Sequence, residues 1–456
     1  MPPLAEWACR SSGICRQSEV KNRKIQKSIF QYMLAFFGTL LLIFVLTVTA
    51  PVVPKKLIKN HMTESAEYMV EQGTAHRILN FVDASFLDYY ADSVTLSIAY
   101  SLDEKHPVRS SMWSNYYGAS SNAMPKYLKE SVENDLKPNT EYMRYWHGSA
   151  SLMRIMHVFS NVKQVYILNY VLMICLLIIL LIILWKNGLR AEALCFIISM
   201  ISVSFWYVPL CLEYTYTFLI MMAGSIAAVS IALKNETDLI GPFFLIAGVV
   251  TVYFDFLTAE TLTLLVPLLL ILRVWSRQGM KSIKSEIIFS LKAGACWSVG
   301  YIGMWLMKWV IAAIVLKQSM LPFITGHIAE RLDGDVVSGM RPDNYVLSAI
   351  IKNVKCLFPY EFGISGAILV FVFIFVLIIP VVLNKVKMKK TVSKEVILLY
   401  MVLAFVPFFR LAVLHNHAYR HYFFTYRALA ATVLAICFMT LELLETVPRK
   451  AVISDV

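Results

Sequence analysis

Charge is what this chain has least of. Of its 456 residues, 16% are Asp, Glu, Lys or Arg, against 58% hydrophobic. A soluble chain of this length keeps a large polar shell around its core, so the shortage excludes a soluble globular protein. Paired cysteines are missing too. The eight cysteines (Cys9, Cys15, Cys175, Cys195, Cys211, Cys296, Cys356 and Cys437) are scattered, mostly inside apolar runs, and no CxxC occurs. Neither a disulfide framework nor a thiolate metal site is indicated. Nor is there an internal repeat or a pair of matched broken helices, which a transporter built from related halves would show. Acidic residues are outnumbered, 30 against 42 Lys and Arg, for a net charge of +12. The basic residues form no folded unit with interleaved aromatics, so no nucleic-acid partner is expected.

What is present is long apolar runs. "VYILNYVLMICLLIILLIILW" (165–185) and "GAILVFVFIFVLIIPVVL" (366–383) are each long enough to cross a hydrocarbon layer of ~30 Å as helices. The expectation is an all-α integral membrane protein with about ten transmembrane helices: 29–52, 164–185, 191–209, 216–233, 240–256, 259–274, 288–315, 363–383, 395–412 and 423–442. Short basic segments lie between alternate spans. Lys21, Arg23, Lys24 and Lys27 precede the first, Lys186 and Arg190 follow the second, Arg273, Arg277, Lys281 and Lys284 follow the sixth, and "NKVKMKK" (384–390) follows the eighth. The positive-inside rule makes that face cytoplasmic, with both termini on it, in a cytoplasmic (plasma) membrane. The chain then divides into a basic cytoplasmic tail (1–28), the first span (29–52) and a large extracytoplasmic loop with amphipathic helices (53–163). Spans two to seven (164–315), a second outer loop (316–362), spans eight to ten (363–442) and a cytoplasmic tail (443–456) follow.

The chemistry collects on the outer face. In the first loop Asp88 and Asp92 are four apart, on one helix face, with Asp83 a little more than a turn back. They lie among Phe81, Phe86, Leu87, Tyr89, Tyr90 and Leu96, where a partly desolvated carboxylate has its pKa raised toward use as a general base. The loop ends with Arg144, Trp146 and His147, then Arg154 and His157. "YFDFLTAETLTLLVPL" (253–268) holds Asp255 and Glu260, and "CLEYTYT" (211–217) holds Glu213, Tyr214 and Tyr216. Asp333 and Asp335 have DxD spacing suited to a divalent cation, although Gly334 between them reads as a surface turn.

Between two apolar spans stands "HNHAYRHYFFTYR" (415–427), with three histidines and two arginines. Continued as a helix into the last span, it aligns His417, Arg420 or His421, Phe424 and Arg427 in one stripe. An arginine inside the membrane boundary should face the protein interior and pair with an anion, and a phosphate at the interface satisfies the set.

This layout resembles the polytopic GT-C-type glycosyltransferases. "YFDFLTAETLTLLVPL" is similar to a segment of bacterial glucosyltransferases of the O-antigen-modifying GtrII type. "DYYADSVTLSIAY" (88–100) and "HYFFTYR" (421–427) are similar to stretches of related bacterial membrane proteins. The resemblance implies an enzyme, inverting, that moves a sugar from a polyprenyl-phosphate donor to a glycan, lipid or protein acceptor outside the cytoplasmic membrane, in contact with membrane lipids. It leaves open which of Asp83, Asp88 and Asp92 matches the family's catalytic acid; the expected general base is Asp88 or Asp92, with Asp83 supporting. The expected donor-phosphate ligands are Arg144, His417, Arg420, His421 and Arg427. The expected sugar-binding residues are Glu213, Tyr214, Asp255, Glu260 and Trp146, and a monophosphate donor among cations requires no metal. The competing classes are a lipid-linked-oligosaccharide flippase or transporter, and a polysaccharide polymerase or ligase using a lipid-pyrophosphate donor.

Overall fold

In the computed structural model, residues 13–80, 82–118, 123–279, 282–333, 344–358, 386–389 and 392–446 are described. Of the described residues 79% are helical. The helices are α1 (Gly13–Thr49), α2 (Lys55–Gln72), α3 (Tyr89–Ser101), α4 (Pro107–Trp113), α5 (Met124–Asn134), α6 (Gly148–Met156), α7 (Val162–Lys186), α8 (Arg190–Ser202) and α9 (Leu212–Leu233). They continue with α10 (Ile240–Phe254), α11 (Leu262–Gln278), α12 (Ile283–Leu316), α13 (Leu321–Asp333), α14 (Tyr345–Lys355), α15 (Lys394–Val413), α16 (His415–Arg420), α17 (Tyr422–Thr425) and α18 (Ala430–Leu443). Two small antiparallel pairs join β1 (His76–Arg77) to β2 (Phe86–Leu87) and β3 (Val386–Met388) to β4 (Leu444–Thr446).

Seven helical runs among the described residues are long and apolar enough to cross a membrane: Ser28–Val52, Val162–Lys186, Leu212–Leu233, Thr237–Phe254, Ile283–Leu316, Lys394–Val413 and Tyr422–Leu443. This is the pattern of a multi-pass membrane protein. Two expected spans differ. The 191–209 run breaks after Ser202 into a 3-10 turn (Phe205–Leu210) containing Pro209, which cannot donate to a continuing helix. The 259–274 run becomes α11, 17 residues long and buried almost all round. Apolar on every side, it stands at the centre of the bundle, packed against α9, α10, α12 and α18. The 363–383 run lies outside the described residues.

Glycines set one helix spacing. A Cβ on Gly300 of α12 would lie 2.1 Å from the Leu245 carbonyl oxygen of α10, and one on Gly248 would lie 2.2 Å from the Trp297 oxygen. The two backbones touch because neither position carries a side chain. Arg273 of α11 is buried. It pairs with Glu192 of α8 at 2.7 Å and with Glu442 of α18. Counted at first among the loop cations, Arg273 instead ties three helices together.

The segment between the first two membrane-length helices packs as its own layer. α2, α3, α5 and α6 surround a core that includes Met62, Leu96, Leu128 and Met153. Arg154 closes it, donating to the Ala99 and Tyr100 carbonyls at 3.0 and 3.1 Å and to Val53 O at 2.7 Å. These include carbonyls at the end of α3, which no later turn would satisfy. Lys308 of α12 donates to Ser111 O at 3.2 Å and Met112 O at 2.9 Å, fixing α4 to the bundle.

Candidate functional site

A cavity of about 300 Å³ opens between the layer formed by α2, α3, α5 and α6 and the ends of the late helices. Four stretches of chain build its polar wall. Asp88 and Thr95 come from α3 and its start, and Arg144 and His147 from the approach to α6. Glu213 stands in the first turn of α9, and Asn416, His417, Arg420 and His421 come from α16 and its end. Residues expected at the front and at the tail of the chain therefore share one hollow.

Asp88 is placed by its own backbone. It stands before the first turn of α3 and accepts the Ala91 N–H at 3.1 Å, an N-terminal cap. One oxygen is held by the helix, and the residue remains partly exposed at the cavity wall. The protein around it pushes its pKa up to about 6, with the Ala91 and Tyr90 amides pulling the other way. A carboxyl tuned there is ionised in most molecules at neutral pH and still basic enough to take a proton.

Asp92, one turn on, is fully buried and does not line the cavity. It accepts the Leu212 N–H at 2.9 and 3.0 Å, the Tyr166 hydroxyl at 2.5 Å and the Cys211 thiol at 3.4 Å. Burial raises its pKa to about 7, against those three donors. The carboxylate sits at the first turn of α9, where the helix dipole favours a negative charge, and so fixes the turn that carries Glu213 into the cavity. Asp83 is elsewhere. It pairs with Arg77 at 2.7 Å and accepts from Tyr422 at 2.6 Å, outside the lining.

The cationic stretch does not run as one helix. α16 ends at His421, whose φ of −114° and ψ of 31° leave the helical region, and α17 runs on into α18 through a 3-10 turn, Tyr426–Leu429. The Asn353 amide donates to the Ala418 carbonyl at 3.0 Å just before this break. The bend turns His417, Arg420 and His421 to the cavity and carries Arg427 behind it. Arg427 is fully buried, donating to Phe423 O at 2.8 Å and Ala84 O at 3.3 Å, with its guanidinium 4.4 Å from the Tyr214 ring centre. Tyr214 is covered by that contact and is buried.

His417 donates Nε2–H to the Leu257 carbonyl at 2.9 Å. His147 donates Nε2–H to Tyr142 O at 2.7 Å, and burial lowers its pKa to about 3, so it is a neutral imidazole. Arg144 lies over the Tyr142 ring at 5.0 Å on the cavity wall, and Arg420 is exposed.

Four expected sugar contacts fall outside this lining. Tyr214 is the first. Asp255 accepts from Thr217 Oγ1 at 2.9 Å, Leu257 N at 2.7 Å and Thr258 Oγ1 at 2.5 Å, holding the turn between α10 and α11. Glu260 pairs with Arg410 at 2.9 Å. Trp146 is buried and donates Nε1–H to Met304 O at 2.9 Å. Asp333 ends α13 and Asp335 lies outside the described residues. Among the described residues no cluster of three or more His, Cys, Asp or Glu is placed to hold a metal ion.

Sequence reasoning passed over Arg410, Tyr142 and Asn416, and the Tyr166 and Cys211 partners of Asp92. Arg410 had a signal: an ionisable residue inside an apolar span needs a partner. Tyr142, Asn416, Tyr166 and Cys211 had none, since tyrosines at membrane edges and cysteines in apolar runs are common. Compared with family profiles, curated proteins and solved structures, the chain finds no match.

Proposed function

We propose that the chain is a membrane glycosyltransferase of GT-C type that moves a sugar from a polyprenyl-phosphate donor to a glycan, lipid or protein acceptor on the extracytoplasmic side. One observation carries the reading: Asp88, from the segment after the first span, lines the same cavity as Arg144, His417, Arg420 and His421. In this scheme Asp88 takes the proton of the acceptor hydroxyl as its oxygen attacks the anomeric carbon. The bond from that carbon to the phosphate oxygen breaks, and the electron pair leaves with the lipid phosphate. Arg144 and Arg420, with His417 and His421, stabilise the charge that grows on the leaving group. A single displacement of this kind inverts the anomeric centre.

Within the scheme Asp92 and Arg427 are positioning residues. Asp92 holds the first turn of α9, and Arg427 holds the Ala84 segment that leads to Asp88. Glu213 is the sugar-binding residue that the cavity keeps from the expected set. The bent 415–427 stretch is an argument for this reading over a flippase, since His417, Arg420 and His421 gather at one mouth and not along a path through the bundle.

The test incubates the purified full-length protein with a panel of polyprenyl-phosphate sugars and follows loss of the lipid-linked species. Turnover of at least one donor, abolished in Asp88→Asn, supports the reading. No turnover across the panel, or full turnover in Asp88→Asn, overturns it. A topology reporter fused after residue 120 and found in the cytosol overturns the orientation.

A further inference from the structure

The cavity wall that α3 builds runs on past Asp88. Asp88, Ala91 and Thr95 recur at the spacing of one helix face, so Thr95 stands roughly 10 Å along the axis from Asp88. Val94 lies beside them, and Tyr90 and Tyr116 complete this side. The Tyr116 hydroxyl is bonded to that of Tyr90, and both residues are half-buried. Past Asp88 every residue on this side is neutral. The cations Arg144 and Arg420 come from other stretches of chain.

Thr95 carries a hydroxyl that the fold leaves unused. Inside a helix a threonine hydroxyl often donates to the carbonyl four residues back. Thr39, Thr47 and Thr251 do so at 2.6, 2.8 and 2.6 Å. Thr95 Oγ1 does not. It has no hydrogen-bond partner among the described residues, and it is not among the unpartnered atoms shut away from solvent. The residue is 4% exposed, and its open side is the cavity it lines. One turn nearer Asp88, Ala91 is half-buried and ends at Cβ, so the wall is recessed between the two.

This side is unsuited to two of the three acceptor classes. The backbone amides of Tyr116, Tyr117 and Gly118 are taken, by Thr140 O at 3.0 Å, Ser97 Oγ at 3.3 Å and Asn139 Oδ1 at 2.9 Å. A peptide, which would add along such a segment through main-chain bonds, finds no donor left there. A phospholipid needs a continuous apolar wall, and Ala91 and Val94 alone do not make one. A neutral wall with a reachable hydroxyl, two phenols and a recess suits a ring edged with hydroxyls, which both donate and accept.

We infer that the α3 side of the cavity is the acceptor subsite and that the acceptor is a neutral saccharide, with Thr95 bonding a ring hydroxyl and Ala91 leaving room for the ring. Thr95 is then a specificity-determining residue. The inference rests on the proposed reading only in calling the saccharide an acceptor, whose attacking hydroxyl would lie at Asp88. The binding itself is measured without turnover.

The test titrates methyl pyranosides of glucose, galactose, mannose, rhamnose and N-acetylglucosamine onto the full-length protein in detergent, followed by saturation-transfer NMR. Glycerophosphoethanolamine and a serine tripeptide are the other arms. At least one pyranoside is expected to bind. Thr95→Val, which keeps the branched shape but loses the hydroxyl, should weaken it about fivefold, as loss of one hydrogen bond does. Thr95→Ser should keep near-parent affinity, and Ala91→Leu, which fills the recess, should abolish binding. No pyranoside bound overturns the inference, as does binding unchanged in both Thr95→Val and Ala91→Leu. If that binding is lost in Glu213→Gln instead, the position is the donor sugar's. A signal from the phospholipid headgroup or the peptide, lost in Ala91→Leu and with none from a pyranoside, also overturns it. Failure here leaves donor turnover intact, and loss of donor turnover leaves pyranoside binding intact, so the two readings fail separately.

Discussion

The Tyr422 hydroxyl donates to the Asp83 carboxylate at 2.6 Å, joining side chains 339 residues apart. The β1–β2 hairpin is thereby tied to the start of the last membrane-length helix. Phe86 packs against Phe423 beside it, ring centres 4.2 Å apart. The contact holds the wall next to the cavity without entering it. Tyr422→Phe should lower the unfolding midpoint by a few degrees, from a loss of about 1 kcal/mol. Turnover should fall by less than about tenfold, the order of that same loss. Removing Arg77, whose pair with Asp83 is largely exposed, should change stability by less than 1 kcal/mol. Thermal unfolding of the three proteins checks the order.

The two acids of α3 should separate in a turnover assay. Asp88→Asn keeps the size of the side chain and an oxygen for the Ala91 N–H, so the fold survives while the base is lost. A drop of about 10²–10⁴ is expected. Asp92→Asn keeps an acceptor for the Leu212 N–H but turns an amide toward one of the Tyr166, Cys211 and Leu212 donors. Its expected signature is reduced stability with residual turnover above that of Asp88→Asn. Equal loss in both would make the pair one catalytic unit.

Acidity should lower the rate, and through the two acids of α3 alone it should favour the folded state. The ionised Asp88 is the active form, and its pKa is raised to about 6. Turnover should rise with pH through about 6, and the limb should vanish in Asp88→Asn. Both carboxyls titrate above the ordinary 3.8, Asp92 at about 7. Between those values the folded chain holds protons that the unfolded chain has lost, so the share of stability that these two carboxyls contribute falls as pH rises from about 4 to about 7. His147, its pKa lowered to about 3, contributes the opposite slope, so the share is read as the difference between the parent chain and Asp92→Asn. The residues are close enough for the measured values to belong to the pair.

The tail arginines differ in kind. Arg420 is exposed on the cavity wall, so Arg420→Ala should raise the KM for donor and leave the unfolding midpoint nearly unchanged. Arg427 is fully buried with its bonds to Phe423 O and Ala84 O. Arg427→Ala should cost about 2 kcal/mol of stability, from lost charge-assisted bonds and the space left under Tyr214. Donor titration and thermal melts on the same preparations separate the two effects.

Much of this was legible in the residues, for physical reasons that also mark where reading stopped. Runs such as 165–185 are apolar over a bilayer's width, and a span is a local property. α11 is as apolar as a span, but its place at the bundle centre depends on which helices surround it, which no window of sequence holds. The 415–427 stretch announced itself by its cations. Its bend did not, because the Asn353 amide that takes the Ala418 carbonyl is 65 residues away. The spacing of Asp88 and Asp92 put both on one helix face. Only the approach of Leu212 and Tyr166 sends one to the cavity and the other into the core.

The Glu260–Arg410 pair gives the sharpest test of what is structure and what is site. Arg410 donates Nε–H to Glu260 at 2.9 Å and also bonds the Leu257 carbonyl, which His417 reaches at 2.9 Å from the cavity side. Both charges are buried, at 6% and 7% exposure. Losing one strands the other away from water, so Glu260→Gln and Arg410→Met should each cost about 3–5 kcal/mol. The double variant leaves no stranded charge, and Leu257 O keeps its His417 donor. It should therefore recover most of the stability, an interaction of several kcal/mol in a double-mutant cycle. If Glu260 serves only this pair, the double variant also recovers turnover. If Glu260 binds the sugar, stability returns and turnover does not. Melts and donor turnover on the four proteins of the cycle decide between them.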